Sequence, residues 1–265
     1  MCTPLTFAAM KIVSYNVNGI RAAIRKGLID WLADHDFDIV GLQETKAMPE
    51  QVPAEELVRI AELGYRMDWH SAERNGYSGV ATLSKVPVVN VVNGCEMPHV
   101  DCEGRVLRTD YEDFTLLNCY FPNGGANENR HNYKQQFLAD FLLYTRELRK
   151  QQPNLVVIGD YNIAHTELDI HNPKSNQKSS GFLPEERAWM SEWFADGFVD
   201  PFRTLHPEAQ VYSWWSFRGG ARQNNKGWRI DYTSVTENMR ERIQSVDHLK
   251  DDLHSDHCAV VLELA

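Results

Sequence analysis

The chain has 265 residues, of which 43% are hydrophobic, 24% charged and 11% aromatic; this excludes a disordered or fibrous chain and supports a substantial buried core. Its formal net charge of −10 argues against broad electrostatic attachment to nucleic acid, because phosphate contacts are made mostly by Lys and Arg. Five cysteines (Cys2, Cys95, Cys102, Cys119, Cys258) form an odd set with no C-x-x-C pair, which disfavours a disulfide framework or a zinc ribbon and points to a reducing compartment.

The opening segment MCTPLTFAAM lacks the basic start and longer apolar stretch of a secretory signal, and no run approaches the roughly 18 apolar residues that span a membrane. Residues 1–10 are expected to be a disordered extension, with Met10 an alternative start, and residues 11–265 a single domain. Lys11 to Asn16 and Asp38 to Gln43 read as short strands, with helical spacing between them from Gly27 to His35 (Leu28, Ile29, Trp31, Leu32). Pro53 to Leu63 predicts a helix, followed by strands near Tyr65 to His70, Gly79 to Ser84 and Val88 to Val92. Arg105 to Tyr111 and Phe114 to Tyr120 flank Glu112-Asp113 as a hairpin whose second strand leads into a Gly-rich loop. Glu128 to Lys150 is the longest helical stretch, and Leu155 to Ile158 is a buried strand ending before Gly159-Asp160. A helix from Pro184 to Phe194 and strands near Ile230 to Val235 and Cys258 to Leu264 complete the pattern. Antiparallel signals mixed with helices favour packed sheets covered by helices over a doubly wound parallel sheet.

Charge is unevenly placed. Residues 1–29 hold Lys11, Arg21, Arg25 and Lys26, residues 170–184 hold Lys174 and Lys178, and residues 209–230 hold Arg218, Arg222, Lys226 and Arg229, all without an acid. These basic tracts soften the objection raised by the net charge.

Five polar islands punctuate the apolar runs: SYNVNG at 14–19, LQETK at 42–46, GDYN at 159–162, RID at 229–231 and SDH at 255–257. Such groups suit a hard cation and a phosphate if strand ends converge. Glu44 is the best candidate metal ligand, with Asn16 offering a neutral carbonyl oxygen and Asp256 a second carboxylate. Asp160 and Asn162, two apart, can hold one water or phosphate oxygen between them. His257 can donate to a phosphate oxygen if Asp231 orients its other nitrogen, and Tyr120 and Asn123 add a phenol and an amide. No G-x-S-x-G elbow is present, which disfavours a serine hydrolase. Each residue alone has an ordinary reading as a turn, cap or strand end; the joint occurrence carries the phosphodiesterase reading.

In order along the chain, SYNVNGIRA, DIVGLQETK, ERNGYSGVA, YFPNGG, GDYNIAH, GFLPEER, YSWWSF, GWRIDY and SDHC resemble the exonuclease III family of apurinic/apyrimidinic (AP) endonucleases, within the endonuclease/exonuclease/phosphatase superfamily. The resemblance runs from about Lys11 to Leu264. It implies an α/β, four-layered, DNase I-like sandwich of two packed mixed β-sheets flanked by helices. It also implies a Mg²⁺-dependent enzyme, with Mn²⁺ substituting, that cuts duplex DNA 5′ to abasic sites in base excision repair and processes blocked 3′ ends as phosphodiesterase or exonuclease. The implied assignments are Glu44 with Asn16 and Asp256 on the metal, Asp160 with Asn162 on the attacking water, and His257 with Asp231, Tyr120 and Asn123 on the phosphate. One metal or two remains open, so Asp160, Asn162 and His257 are further ligand candidates. Trp214, Trp228 and Ile230 match the abasic pocket, while Trp215 reads as core. Arg21, Lys26, Gly76, Tyr77, Asn172, Asn176 and Lys178 match DNA-backbone contacts, and Arg218, followed by two glycines, is the large side chain left where relatives wedge into DNA. Asn18 stands where some relatives have Asp, which weakens it as a ligand. A monomer without membrane attachment is implied, cytoplasmic in a prokaryote or nuclear in a eukaryote. The competing reading, a phosphatase for a small phosphorylated substrate, draws on the acidic charge.

Overall fold

The computed structural model describes residues 9–265, so the expected disorder of the opening segment lies outside the described residues except at its end. There the expectation is corrected: Met10 is the first residue of a strand and pairs with Leu264.

In chain order the elements are β1 (Met10–Asn16), α1 (Ile20–Arg25), α2 (Leu28–His35), β2 (Ile39–Gln43), α3 (Ala54–Glu62), β3 (Arg66–His70), β4 (Val80–Ser84) and β5 (Asn90–Asn93). Then come α4 (Pro98–Asp101), β6 (Val106–Asp110), β7 (Thr115–Tyr120), α5 (Glu128–Arg149), β8 (Leu155–Asp160), α6 (Pro173–Asn176) and α7 (Pro184–Ala195). The last part holds β9 (Phe198–Val199), α8 (Pro201–Leu205), β10 (Trp214–Trp215), β11 (Gly227–Trp228), β12 (Asp231–Thr236), β13 (Ile243–Leu249) and β14 (Ala259–Leu264).

One six-stranded sheet runs β13-β14-β1-β2-β4-β3 and the other β5-β6-β7-β8-β12-β9. Each is antiparallel except for one central parallel pair, β1 with β2 and β7 with β8, so both sheets are mixed. Alternation along the strands builds four layers. On β1, Ile12 faces the second sheet while Val13 and Tyr15 face α1 and α2. On β8, Val156 and Ile158 fill the space between sheets, while Leu155 and Val157 pack under α5 and α7. Strands covered on both sides must be apolar throughout, which is why LVVI reads as an unbroken run. The helices begin where their sequences dictate. Asn127 caps α5 by accepting from the Arg130 N–H at 3.0 Å, and Pro184 opens α7 where no amide donor is needed.

A buried amide pair locks the two sheets together. Gln43, at the end of β2, donates through Nε2 to Asn118 Oδ1 at 2.8 Å, and Asn118 on β7 donates back to the Ala81 carbonyl at 2.8 Å. At Gly41 the sheets approach so closely that a Cβ would lie 2.5 Å from Ile158 Cδ1. These contacts set the sheets' mutual position directly beneath the strand ends that carry the polar islands.

Candidate active site

The islands converge on one edge of the sandwich. Within the second sheet, Tyr120 on β7 pairs with Asp160 on β8, and Asp160 pairs with Asp231 on β12, so these side chains form a row across three neighbouring strands. Within the first sheet, Asn16 ends β1 opposite Gln43, with Glu44 next along the chain. Asp256 and His257 precede β14, and His257 forms an isolated bridge with Trp214. The predicted end of the Leu155 to Ile158 strand is corrected: β8 continues through Gly159 and Asp160 instead of stopping at Ile158. Gly159 permits this, because a Cβ there would meet the Cys119 carbonyl oxygen at 1.8 Å.

Asp160 is buried and surrounded by donors. Its Oδ2 accepts from Asn16 Nδ2 at 2.9 Å and Asn162 Nδ2 at 3.2 Å, and its Oδ1 accepts from the Asn162 N–H at 2.8 Å. His257 Nδ1 lies 2.9 Å from Asp231 Oδ2, which aims Nε2 toward Asp160 Oδ2 at 3.9 Å. Ligand-type atoms of Asp160, Asp231 and His257 thus lie within 4.8 Å of one another. Burial and the Asp231 charge push the Asp160 pKa up to about 7, against the opposing influence of His257. Burial alone would depress His257, but Asp231, Asp160 and Asp256 outweigh it and lift its pKa to about 10. One group able to accept a proton near neutrality therefore faces one that is already charged.

Glu44 and Asp256 lie beside this group and line the same pocket. Glu44 adopts a left-handed backbone with φ of 56°, uncommon for a residue with a side chain and consistent with a position fixed for function. Lys46 Nζ stands 2.9 Å from Glu44 Oε1 and donates to Asn18 Oδ1 at 2.5 Å. Asn18 in turn donates to Asp256 Oδ1 at 2.9 Å, and Trp214 Nε1 donates to Asp256 Oδ2 at 3.0 Å. Burial opposes ionisation of Asp256, but the His257 charge and these two donors hold its pKa below the usual value. Asn16 Oδ1 accepts from the Asn18 N–H at 2.9 Å, so Asn16 ties Asp160 to the Asn18 loop. Carboxylates and amide oxygens are hard donors, and the Lys46 ammonium already sits against Glu44 and Asn18; the residue types present fit a hard cation.

The pocket encloses about 310 Å³ and is lined by Glu44, Tyr120, Asp160, Asp256 and His257 together with Trp214, Trp228 and Ile230. The two indoles meet edge to face with centroids 6.1 Å apart, and Trp215 is buried away from them. Asn123 lines the same space and donates to Asn162 Oδ1 at 3.2 Å. Gly181 closes the wall, since a Cβ there would press on Trp228 and on the Asn162 carbonyl at 3.0 Å.

Of the residues expected to contact the DNA backbone, Arg21, Lys178 and Arg218 are exposed, as is Gly76, whose φ is 69° and which has no neighbour within 4 Å of a would-be Cβ. Lys26 Nζ is held by the His254 carbonyl at 3.0 Å. Asn172 is left-handed at the start of α6 and receives the side-chain amide of Asn176 at 3.0 Å. Tyr77 is half-buried among arginines. The basic tract at 209–230 is less available than its composition suggests. Arg229 is buried against Asp169 and Asp200, each at 2.7 Å, and Arg222 is spent on the carbonyls of Ser255 and Lys250. Exposed Phe217 joins Arg218 on the same loop, a large side chain that the sequence reading passed over.

Three further supports escaped the sequence. Ser213 is buried, donates to Asp231 Oδ2 at 2.6 Å and accepts from the N–H groups of Ile230 and Asp231, fixing the partner of His257. Lys134 and Glu186 form a fully buried ion pair at 2.6 Å; Lys134 donates to the Asn162 carbonyl, and Glu186 accepts from the Gly181 N–H. Lys46 was visible in LQETK but carried no role. A serine beside two tryptophans or a lysine within a long helix gives no local signal; only the fold places them.

The chain belongs to the Endonuclease/Exonuclease/phosphatase family, whose model matches residues 13–257. It is 39% identical over 255 residues to an exodeoxyribonuclease of Bacillus subtilis, covering 96% of this chain and 98% of that protein. It is 38% identical to the DNA repair nuclease APEX1 of Danio rerio, covering 97% of this chain and 83% of that one. Among solved structures, the 3′ phosphatase NExo from Neisseria, bound to a product DNA hairpin, superposes with a TM-score of 0.88 at 28% identity over 97% of this chain and 100% of that one. An AP endonuclease from Archaeoglobus fulgidus gives a TM-score of 0.86 at 27% identity over 96% of this chain and 99% of that one. Two mixed sheets flanked by helices are the fold expected from sequence, and these structures share it.

Proposed function

We propose that this protein is a Mg²⁺-dependent AP endonuclease that hydrolyses the DNA phosphodiester 5′ to an abasic site. The observation that carries the reading is that Asp160 and His257, the latter held by Asp231, line one pocket of about 310 Å³ together with Trp214, Trp228 and Ile230. On this reading the rings would admit an abasic sugar and exclude a base, so damage would be recognised by what is missing.

Glu44 and Asp256, assisted by Asn16, would hold Mg²⁺, with Mn²⁺ as a substitute. The bound cation supplies charge neutralisation at a non-bridging phosphate oxygen. Asp160, poised near pH 7, takes the proton from the attacking water while Asn162 holds that water in place. His257 donates from Nε2 to a phosphate oxygen, its ring orientation kept by Asp231 and, one step back, by Ser213. Tyr120 and Asn123 add a phenol and an amide donor to the same phosphate. Arg21, Lys26, Gly76, Tyr77, Asn172, Asn176, Lys178 and Arg218 position the duplex backbone around the pocket. Double-stranded DNA is the partner on this reading, the acting unit is a monomer, and blocked 3′ ends are processed in the same site.

The test is cleavage of an end-labelled duplex with a single internal abasic analogue. The wild-type enzyme should leave a 3′-hydroxyl 5′ to the lesion, stop in EDTA and resume with Mg²⁺. Asp160→Asn should bind the duplex with unchanged affinity and lose roughly a thousandfold or more in turnover. Full cleavage by that variant, or cleavage in EDTA, contradicts the assignment.

A further inference from the structure

Beside the catalytic pocket lies a second cleft of about 660 Å³, and the two share Tyr120 and Asn123 as a common wall. Behind that wall, just before β6, Arg105 is buried. Its guanidinium makes three different attachments. Nε donates to Glu103 Oε2 at 2.6 Å, Nη1 to the Tyr120 carbonyl at 2.9 Å, and Nη2 to the Tyr77 hydroxyl at 2.9 Å. The guanidinium carbon also sits 4.9 Å from the centroid of the Tyr120 ring. The Tyr120 N–H donates to the Arg105 carbonyl at 2.8 Å, so Tyr120 is gripped through both backbone groups and its ring. Arg130 completes the unit by donating to Glu103 at 2.8 Å and to the Tyr77 hydroxyl at 3.0 Å.

Stability alone does not account for a buried arginine here. Desolvating a guanidinium costs several kcal/mol before pairing offsets it, and an apolar residue of similar volume is often at least as stabilising. What an apolar residue cannot do is hold a backbone carbonyl, a phenol and a carboxylate in one plane while stacking on a second phenol. Both phenols matter for position. Tyr120 lines the catalytic pocket together with Glu44, whereas Tyr77 stands in the outer cleft with the Arg74 guanidinium 5.3 Å from its ring.

We propose that Arg105 is a positioning residue: it fixes the Tyr120 hydroxyl at the reacting phosphate and couples it to Tyr77, so that the strand in the outer cleft and the phosphate in the pocket are held in one register. The role rests on the phosphodiesterase reading above. Arg105 is buried and bonded to Glu103, Tyr120 and Tyr77, none of them a metal-ligand candidate; it acts through Tyr120.

A double-mutant cycle tests it, using single-turnover cleavage of the abasic duplex with separate measurement of duplex affinity. Arg105→Met should lower the cleavage rate roughly tenfold to a hundredfold and change affinity by less than about threefold. In a Tyr120→Phe background, where there is no hydroxyl left to position, the same substitution should cost less than about threefold. Arg105→Lys, which keeps the charge but lacks the planar fork, should behave like Arg105→Met. Because removing a buried guanidinium can prevent folding, Glu103→Gln provides a milder route: it keeps an acceptor, loosens the Arg105 anchor, and should show the same non-additivity with Tyr120→Phe at a smaller amplitude. Losses that multiply in the double variants, or a rate restored by Arg105→Lys, overturn the role. If the wild-type enzyme fails to cut the abasic duplex, the proposed function falls and this role with it; if it cuts and coupling is absent, only the role of Arg105 falls.

Discussion

Replacing Asp231 by Asn keeps the shape of a buried side chain and removes one charge. In the native chain His257 stays protonated through the neutral range because its pKa is lifted to about 10, and Asp231 is the foremost group lifting it. Without that carboxylate, burial meets less opposition, and a return to the ordinary histidine value of about 6.5 is the expected result. At pH 8 the protonated fraction then falls from nearly complete to about 3%, a loss of roughly 30-fold if the reaction needs imidazolium. At pH 6 about three quarters of the imidazole remains protonated, and this part of the loss nearly vanishes. Asp231 also raises the pKa of Asp160, so in the variant the base ionises at lower pH. Both limbs of the pH–rate profile therefore move toward acid, in addition to a loss of height. Single-turnover cleavage of the abasic duplex between about pH 5.5 and 9 measures this directly. A ratio of native to variant rates that is independent of pH would refute the argument.

Glu44→Gln removes one of the two carboxylates offered to the cation and should raise the Mg²⁺ concentration for half-maximal cleavage roughly tenfold or more, with duplex binding in EDTA unchanged; an unaltered Mg²⁺ titration excludes Glu44 from the metal. Asn118→Leu removes the acceptor that Gln43 reaches across the sheets, leaving its Nε2 only the Gly41 carbonyl at 3.1 Å, and should destabilise the fold by about 1–3 kcal/mol, read as a lower urea midpoint with unchanged slope; an unmoved midpoint means the amide pair does not hold the sheets together.

The islands were legible because each follows an apolar run, and a buried strand announces both its course and the point where its polar cargo emerges. That signal placed Glu44 after β2 and the GDYN segment after the run at Leu155 to Ile158. It misplaced the strand's end by two residues, since nothing local says that Gly159 will stay paired with Cys119 and Tyr232. The edge strand β13 was missed for a different reason. Its sequence IQSVDHL is half-exposed and polar, and its pairing with β14 is set by a neighbour and not by its own pattern. Charge was the least legible property. Arg229 reads as part of a basic tract, yet it is buried against Asp169 and Asp200, residues distant in sequence that only the fold brings to it.

Neither sheet contains a complete site. The second sheet contributes Tyr120, Asp160 and Asp231 from adjacent strands, and the first contributes Asn16 and Glu44 with Asp256 and His257 just before β14. The hydrogen bond from Asn16 to Asp160 and the bond between His257 and Asp231 both cross from one sheet to the other. Chemistry at the edge therefore depends on the packing between Val156, Ile158, Ile12 and Val260 beneath it. The same dependence explains why a buried Gln43 and Asn118 interrupt an otherwise apolar interface. Apolar side chains tolerate sliding, because their contacts are exchangeable, whereas two amides bonded to each other and to a neighbouring strand's carbonyl have one satisfactory alignment. That alignment sets how far Asp160 lies from Asn16 and His257, so a polar pair in the core specifies the spacing of these groups at the rim.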